Sequence, residues 1–513
     1  MFEVIFISSR SVTAELLNND IYYANKTYDV YLDQTLVLRD VKTNVFSLYN
    51  LKPNQTYTLN IDGFVVSFKT ESESAYLNVK DFGAVGDGIH DDTMAIQTAI
   101  TACPKGGLIH IPVGKYLVKP LFLKSHVTIE LDKGAVILGH TDRNKYPILP
   151  AQIIKMDGSI LELSSWEGNS APTFASIITG IEVENVKIIG EGIIDEQSDK
   201  SDWWINHKVM RGGAWRPKGV FLSNSKHIGL QGITVTNTPS WNLHPYFSSY
   251  IDFIDLKLIS PKDSPNTDGC NPESCDHVRV IGVNFSVGDD CIAIKSGKFE
   301  MGMKYRKPTS DMLVRNCMMA YGHGAVVLGS EMSGGVKNLS VSKCYFKQTD
   351  RGLRIKTRRG RGESAQIDGI TFENIYMEDV LTPLVMNMYY FCDDDGKTEY
   401  VYSKNKLPLD SRTPYLGSFT FKNMVCKNVH VAAGFFYGLP EQPIESITLE
   451  NITFDYAKDP TPDVPAMMSF LDMMKGEGLQ FRFVNHVKLK NVKVNQPLGN
   501  PLILENVIDF SEV

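Results

Sequence analysis

From about residue 125 onward the chain keeps repeating one unit: a short β-type run, a turn built on Asn or Gly, and a second short run. Ile370-Thr371-Phe372-Glu373-Asn374-Ile375-Tyr376, Ile447-Thr448-Leu449-Glu450-Asn451-Ile452-Thr453 and Val487-Lys488-Leu489-Lys490-Asn491-Val492-Lys493 show it most clearly. A unit this short cannot bury its own apolar side, so it must stack on its neighbours, and recurrence at about 20–35 residues is the mark of a solenoid. Within each run apolar and polar residues alternate, as they must when one side of a strand faces a stacked interior and the other faces solvent. The units lack the leucine framework of a horseshoe and the Trp-Asp motif of a propeller blade. The expected fold is therefore all-β, a right-handed single-stranded parallel β-helix.

Two features lie before the repeats. Residues 1 to about 72 alternate in short runs separated by Asn/Asp turns, and Leu51-Lys52-Pro53-Asn54-Gln55-Thr56-Tyr57 resembles the tyrosine corner of fibronectin type III domains. This predicts a small fibronectin type III-like β-sandwich over 1–72, a polar linker at Thr70-Glu71-Ser72-Glu73-Ser74, and a β-helical catalytic domain over 76–513. Asp91-Asp92-Thr93-Met94-Ala95-Ile96-Gln97-Thr98-Ala99-Ile100 has helical spacing behind an acidic start and reads as a short helix capping the open end of the stack.

Composition excludes several classes. The net charge of −7 argues against nucleic acid or an anionic membrane as the main partner, and no segment has the roughly 18 apolar residues of a membrane span. Any anion site must be a local basic patch. The cysteines at 103, 270, 275, 291, 317, 344, 392 and 426 are scattered, without zinc-site or disulfide spacing, and read mostly as buried thiols. The first residues carry an acid where a signal peptide is basic, so the expectation is cytoplasmic, or secreted if the sequence is a processed form. No cofactor and no metal are expected; oligomeric state is left open.

Four segments in consecutive repeats hold nearly all the reactive groups: Asn266-Thr267-Asp268, Gly288-Asp289-Asp290, Gly322-His323-Gly324 and Arg354-Ile355-Lys356. Asp268 and Asp289 are 21 residues apart, His323 lies 33 beyond Asp290 and Arg354 lies 31 beyond His323, each about one coil. Equivalent positions on successive coils stack at about 4.8 Å, so one patch gathers all four segments. Carboxylates crowded this way raise the pKa of at least one, making it a general acid, while another activates water. Both Asp289 and Asp290 reach the patch only if the chain bends at Gly288. Seen alone, an acidic pair equally caps a turn or binds calcium. The glycines flanking His323 suggest a sharp turn that exposes its imidazole. Arg354, Lys356 and Arg358 alternate, so they project from one strand face and suit an anionic substrate, whereas Arg359 and Arg361 read as a solvated run at a turn.

In this order the four segments resemble the polygalacturonases of glycoside hydrolase family 28, over roughly residues 76–513. Asp81-Phe82-Gly83-Ala84 and Pro239-Ser240-Trp241-Asn242-Leu243-His244-Pro245 share the likeness. The resemblance implies inverting hydrolysis of α-1,4-galacturonosyl bonds in galacturonic acid polymers or oligomers. Asp289 would protonate the leaving oxygen, Asp268 and Asp290 would activate water, and His323 would support the acid. Arg354 and Lys356 would bind the galacturonate carboxylate, Asn266 would shape the site, and Tyr389, with Tyr390 as its rival, would supply a cleft tyrosine. The family's commoner Gly-Gln-Asp-Asp reads Val287-Gly288-Asp289-Asp290 here, a form associated with bacterial and exo-acting members. Exo action needs one end of the cleft closed; the candidate blockers are the insertion with Trp203, Trp204, Arg211, Trp215 and Arg216, and the segment from Asp393 to Tyr415. The general spacing of an inverting carboxyl pair is about 6.5–9.5 Å, wider than one coil step, so inversion rests on the resemblance. Two rivals stay open: a pectate lyase-type β-elimination, with calcium on the aspartates, and a non-catalytic carbohydrate-binding β-helix.

Overall fold

A computed structural model describes residues 1–513. From Tyr76 to Glu512 the chain winds through parallel ladders that stack coil on coil. One ladder runs from Gly107–Ile111 and Val127–Leu131 through Asp276–Ile281 to Glu477–Asn495, in a register that aligns Val186, Ile228, Ile251, Val278, Met312, Leu339, Ile370, Phe419, Ile447 and Val487. All ten point into one continuous core. A second ladder includes Lys257–Ile259, Asn284–Ser286 and Met318–Ala320. A third runs through Leu243–Tyr246, Ile292–Ile294, Val326–Gly329 and Arg351–Lys356.

The repeated asparagines turn one ladder into the next. Asn374, Asn423, Asn451 and Asn491 have φ of 57°, 53°, 54° and 50°, a left-handed conformation that asparagine tolerates better than most side chains. They also stack: the Asn451 amide donates to Asn423 Oδ1 at 3.1 Å, and the Asn491 amide to Asn451 Oδ1 at 3.0 Å.

The end cap is a helix at Thr93–Ala102, whose Ile96 and Ile100 cover the first coils beside Ile111 and Ile129. Asp92 precedes it but does not cap it; its carboxylate takes the Val85 and Gly86 amides at 2.6 and 2.9 Å, pinning the preceding loop. Seven strands between Phe2 and Lys69 make the N-terminal module, in sheets of three and four antiparallel strands. Tyr57 Oη accepts the Lys52 amide at 2.8 Å, as a tyrosine corner does. The module is clamped to the β-helix: Arg315 holds Glu15 with two hydrogen bonds, Asn44 meets Asn316, and Phe6 and Val45 bury against Ile189, Ile254 and Ile281. All eight cysteines are free thiols, and all but Cys392 are buried.

Candidate active site

The reactive residues collect at the corner between the second and third ladders. Cys270, Ile292, Val326 and Leu353 are in register, so Asp268, Asp290, Gly324 and Arg351, each two residues earlier, fall in one column that runs up successive coils. Backbone bonds carry the ladder straight through this corner: Gly269 N to Asp290 O, Cys291 N to Gly324 O and Ala325 N to Arg351 O, at 2.8–3.0 Å. One carboxylate oxygen from each of Asp268, Asp289 and Asp290 lies within 4.8 Å of the others. Residues 288 and 289 form a bend rather than strand, which brings neighbouring aspartates to one side.

The glycines make the close approach possible. A Cβ on Gly288 would lie 2.5 Å from Pro261 O and 2.6 Å from Ser264 O; one on Gly322 would lie 2.4 Å from Asp289 O. One on Gly324 would meet Val327 at 2.4 Å and Asp290 Oδ1 at 3.4 Å. The chain does bend over residues 321–323 and exposes the imidazole, but the left-handed residue is Tyr321 at φ 71°. Neither Gly322 nor Gly324 has a positive φ, and what they provide is room for the Asp289 backbone and the Asp290 carboxylate.

Environment separates the three aspartates. Asp268 is buried, and burial followed by the charge of Asp289 holds its carboxyl well above the usual range; Asn271 donates to its Oδ2 at 2.9 Å. Asp290 is equally buried and burial opposes its ionisation, but Lys356 Nζ at 2.5 Å from Oδ2 and Arg354 at 3.6 Å from Oδ1 outweigh this and hold it below the usual range. Asp289 is the accessible member, its side chain 24% exposed, with His323 Nδ1 at 3.8 Å and His323 itself more than half exposed. Asp268 is thus the member that favours holding a proton and Asp290 the member that stays ionised. The cluster can offer a proton at one oxygen and accept one at another.

Other placements differ from expectation. Tyr389 is fully buried against Tyr437, with Lys404 Nζ 3.3 Å from its ring centre. Its neighbour Tyr390 is the tyrosine within electrostatic reach of Arg354 and Asp290. The strand ends at Lys356, so Arg358 leaves the Arg354/Lys356 face and holds Cys392 O and Asp395 at 2.6 and 2.7 Å. Arg359 and Arg361 are buried rather than solvated, and Arg359 grips both oxygens of Glu441. Trp203 is buried against Tyr146 and Phe174 and packs a loop. Asn266 sits at φ 56°, its Oδ1 accepting from Arg216 at 2.6 Å; Arg216 also binds Pro239 O and Pro265 O.

Several site residues escaped the sequence reading. Lys295 stands in the same register column as Lys356, close to Asp268 and Asp290, and pairs with buried Glu331 at 2.8 Å. Its signal was available: alternation in Cys291-Ile292-Ala293-Ile294-Lys295 turns Ile292 and Ile294 inward and Lys295 out. Trp166 carries no such signal. It comes from an inserted hairpin and stacks on Trp215 at 5.0 Å and on Trp241 at 6.3 Å, with Lys218 Nζ and Arg216 each 5.2 Å from its ring centre. Burial among these rings lowers the Lys218 pKa to about 7. The same hairpin reaches Lys298, whose amide donates to Gly168 O at 2.8 Å and whose Nζ is 3.3 Å from Asp393.

The family model described as glycosyl hydrolases family 28 matches residues 121–406. A probable polygalacturonase of Vitis vinifera is 31% identical over 384 residues, 74% of each chain. An exo-poly-alpha-D-galacturonosidase of Dickeya chrysanthemi is 26% identical over 392 residues, covering 68% of this chain and 62% of that one. In fold, the family 28 exopolygalacturonase of Yersinia enterocolitica superposes with a TM-score of 0.68 at 21% identity, over 99% of this chain and 98% of the other.

Proposed function

Because the chain belongs to glycosyl hydrolases family 28, we propose that it hydrolyses α-1,4-galacturonosyl bonds of polygalacturonate and its oligomers, releasing sugar from a chain end with inversion. The observation that carries the reading is three clustered carboxylates walled by Arg354, Lys356 and Lys295 in a chain of net charge −7. Fixed cations beside an acid–base cluster suit a substrate that brings its own carboxylates.

In this reading Asp289 protonates the leaving oxygen, because it alone of the three is accessible, and His323 supports it. The proton that burial favours on Asp268 recharges Asp289. Asp290, kept ionised by Lys356 and Arg354, and Asp268, ionised once its proton has passed to Asp289, together activate water, and the water proton returns to this pair. As the substrate carboxylate engages Arg354 and Lys356, their hold on Asp290 loosens and its basicity rises. Tyr390 replaces Tyr389 as the cleft tyrosine, and Asn266 is set in place by Arg216. Action from a chain end is supported by the hairpin at Gly168 and the segment at Asp393, which meet across Lys298 beside the Lys295–Glu331 pair and wall that side. The test is product profiling on defined oligogalacturonides. Monomer from the first time point with inverted anomeric configuration supports the proposal; mixed oligomers refute end-on action, and an unsaturated, ultraviolet-absorbing product that disappears with chelator refutes hydrolysis.

A further inference from the structure

A second convergence of titratable side chains lies away from the aspartate cluster, at the first coils of the β-helix. His110 on strand Gly107–Ile111 is the register partner of Glu130 on Val127–Leu131, and Asp132 follows just beyond. One donor atom from each lies within 4.8 Å of the other two, and His110 Nε2 is 3.0 Å from Asp132 Oδ1. The other ring nitrogen, Nδ1, is 2.6 Å from the Tyr76 hydroxyl. With Nδ1–H donating to Tyr76 Oη, Nε2 keeps its lone pair toward the carboxylates, the way ligating histidines are commonly oriented by an outer partner.

Glu130 supplies an independent reason to look for a ligand. Its residue is only 7% exposed, and its carboxylate is held only by a long ion pair. The nearest cation, Arg10 Nε at 3.8 Å, is already bound to Glu73 through two bonds of 2.7 and 2.9 Å. Arg10 therefore sets one positive charge against both Glu73 and Glu130, while Asp132 faces only the His110 ring. A carboxylate this little exposed, facing its one cation only at 3.8 Å and lying beside a second carboxylate and an imidazole, leaves oxygen lone pairs for a cation to take up.

We propose that His110, Glu130 and Asp132 bind one divalent first-row transition ion of the zinc or manganese class, with water completing its shell. An imidazole nitrogen with two carboxylate oxygens suits such an ion, and tetrahedral ligands at about 2.0–2.2 Å lie a little over 3 Å apart, near the His110–Asp132 distance. The ion ties two adjacent coils together directly beside the Arg10–Glu73 contact that links the N-terminal module to the linker. It is a structural clamp, separate from hydrolysis.

The full chain, stripped with a chelator and desalted, is titrated at neutral pH with Zn²⁺, Mn²⁺ and Ca²⁺ by calorimetry, and its thermal midpoint is followed with and without Zn²⁺. One saturable Zn²⁺ site is expected in the native chain and in Asp289→Asn. His110→Ala and Asp132→Asn should weaken it by about 100-fold or more, and Tyr76→Phe by about tenfold. Zn²⁺ should raise the thermal midpoint of the native chain but not of His110→Ala. Circular dichroism and gel filtration establish that each variant is folded; if His110→Ala is not, Asp132→Asn and Tyr76→Phe carry the test. No saturable Zn²⁺ binding, binding untouched by these substitutions, loss of binding in Asp289→Asn, or Ca²⁺ binding as tight as Zn²⁺ would each overturn the proposal.

Discussion

Replacing Lys356 with Met isolates the interaction that keeps Asp290 ionised. Lys356 and Asp290 form a pair at 2.5 Å with side chains 10% and 2% exposed. Removing one partner of a buried pair costs about 3–5 kcal/mol, because the other charge is left without compensation. Arg354 remains at 3.6 Å and keeps one positive charge beside Asp290 Oδ1. The expected loss is therefore near the lower end, about 3 kcal/mol at neutral pH. The sign with pH follows from linkage. Asp290 is depressed in the folded state, so its contribution is present above the unfolded carboxyl value of about 3.9 and is lost as pH falls through the folded value. In Lys356→Met, burial dominates and the folded value rises. The destabilisation should then be greatest near neutrality and shrink toward acid, where Asp290 is protonated. Urea unfolding of native and variant chains at several pH values measures this without substrate. The acid limb of kcat/KM should also move to higher pH, since a base must be ionised to act. A loss below about 1 kcal/mol, typical of a surface pair, or a pH-independent loss would refute the reasoning, as would an acid limb that stays in place.

Three further outcomes are expected. Asp289→Asn should cut turnover by about 10²–10⁴-fold while retaining affinity for a defined oligogalacturonide by calorimetry; near-native turnover would remove Asp289 from the acid role. Gly288→Ala should lose most activity, because its Cβ meets backbone oxygens at 2.5 and 2.6 Å that cannot swing away, and circular dichroism should still show a β-helix. Lys218, whose folded pKa is lowered to about 7, binds fewer protons folded than unfolded from there to its ordinary value of 10.5. That group therefore makes stability rise with pH across the window, and Lys218→Met should flatten the rise in urea midpoints. An unchanged slope would place the titration elsewhere.

The repeat made both the architecture and the height of each reactive group legible. In a parallel β-helix the coil step is set by backbone hydrogen bonding, so spacings of 21, 33 and 31 residues become a ladder whatever fills the turns between. Asp268, Asp289, Asp290, His323, Arg354 and Lys356 come together on that ground alone, and Lys295 lay within reach of the same argument. Sequence spacing carries no information about burial or about neighbours contributed from elsewhere in the chain. Which aspartate holds the proton depends on Lys356 and Arg354 facing Asp290 while Asp268 meets chiefly burial and Asp289. The inward turn of Tyr389, the burial of Arg358, Arg359 and Arg361, and the stacking of Trp166 on Trp215 arise where the strand ends at Lys356 and where inserted segments fold back. The sequence by itself determined a parallel solenoid and the row of groups along one corner. Only the tertiary structure decided their charge states and their walls, because desolvation and Coulomb energy depend on distances in space, and the repeat sets those distances along its own axis alone.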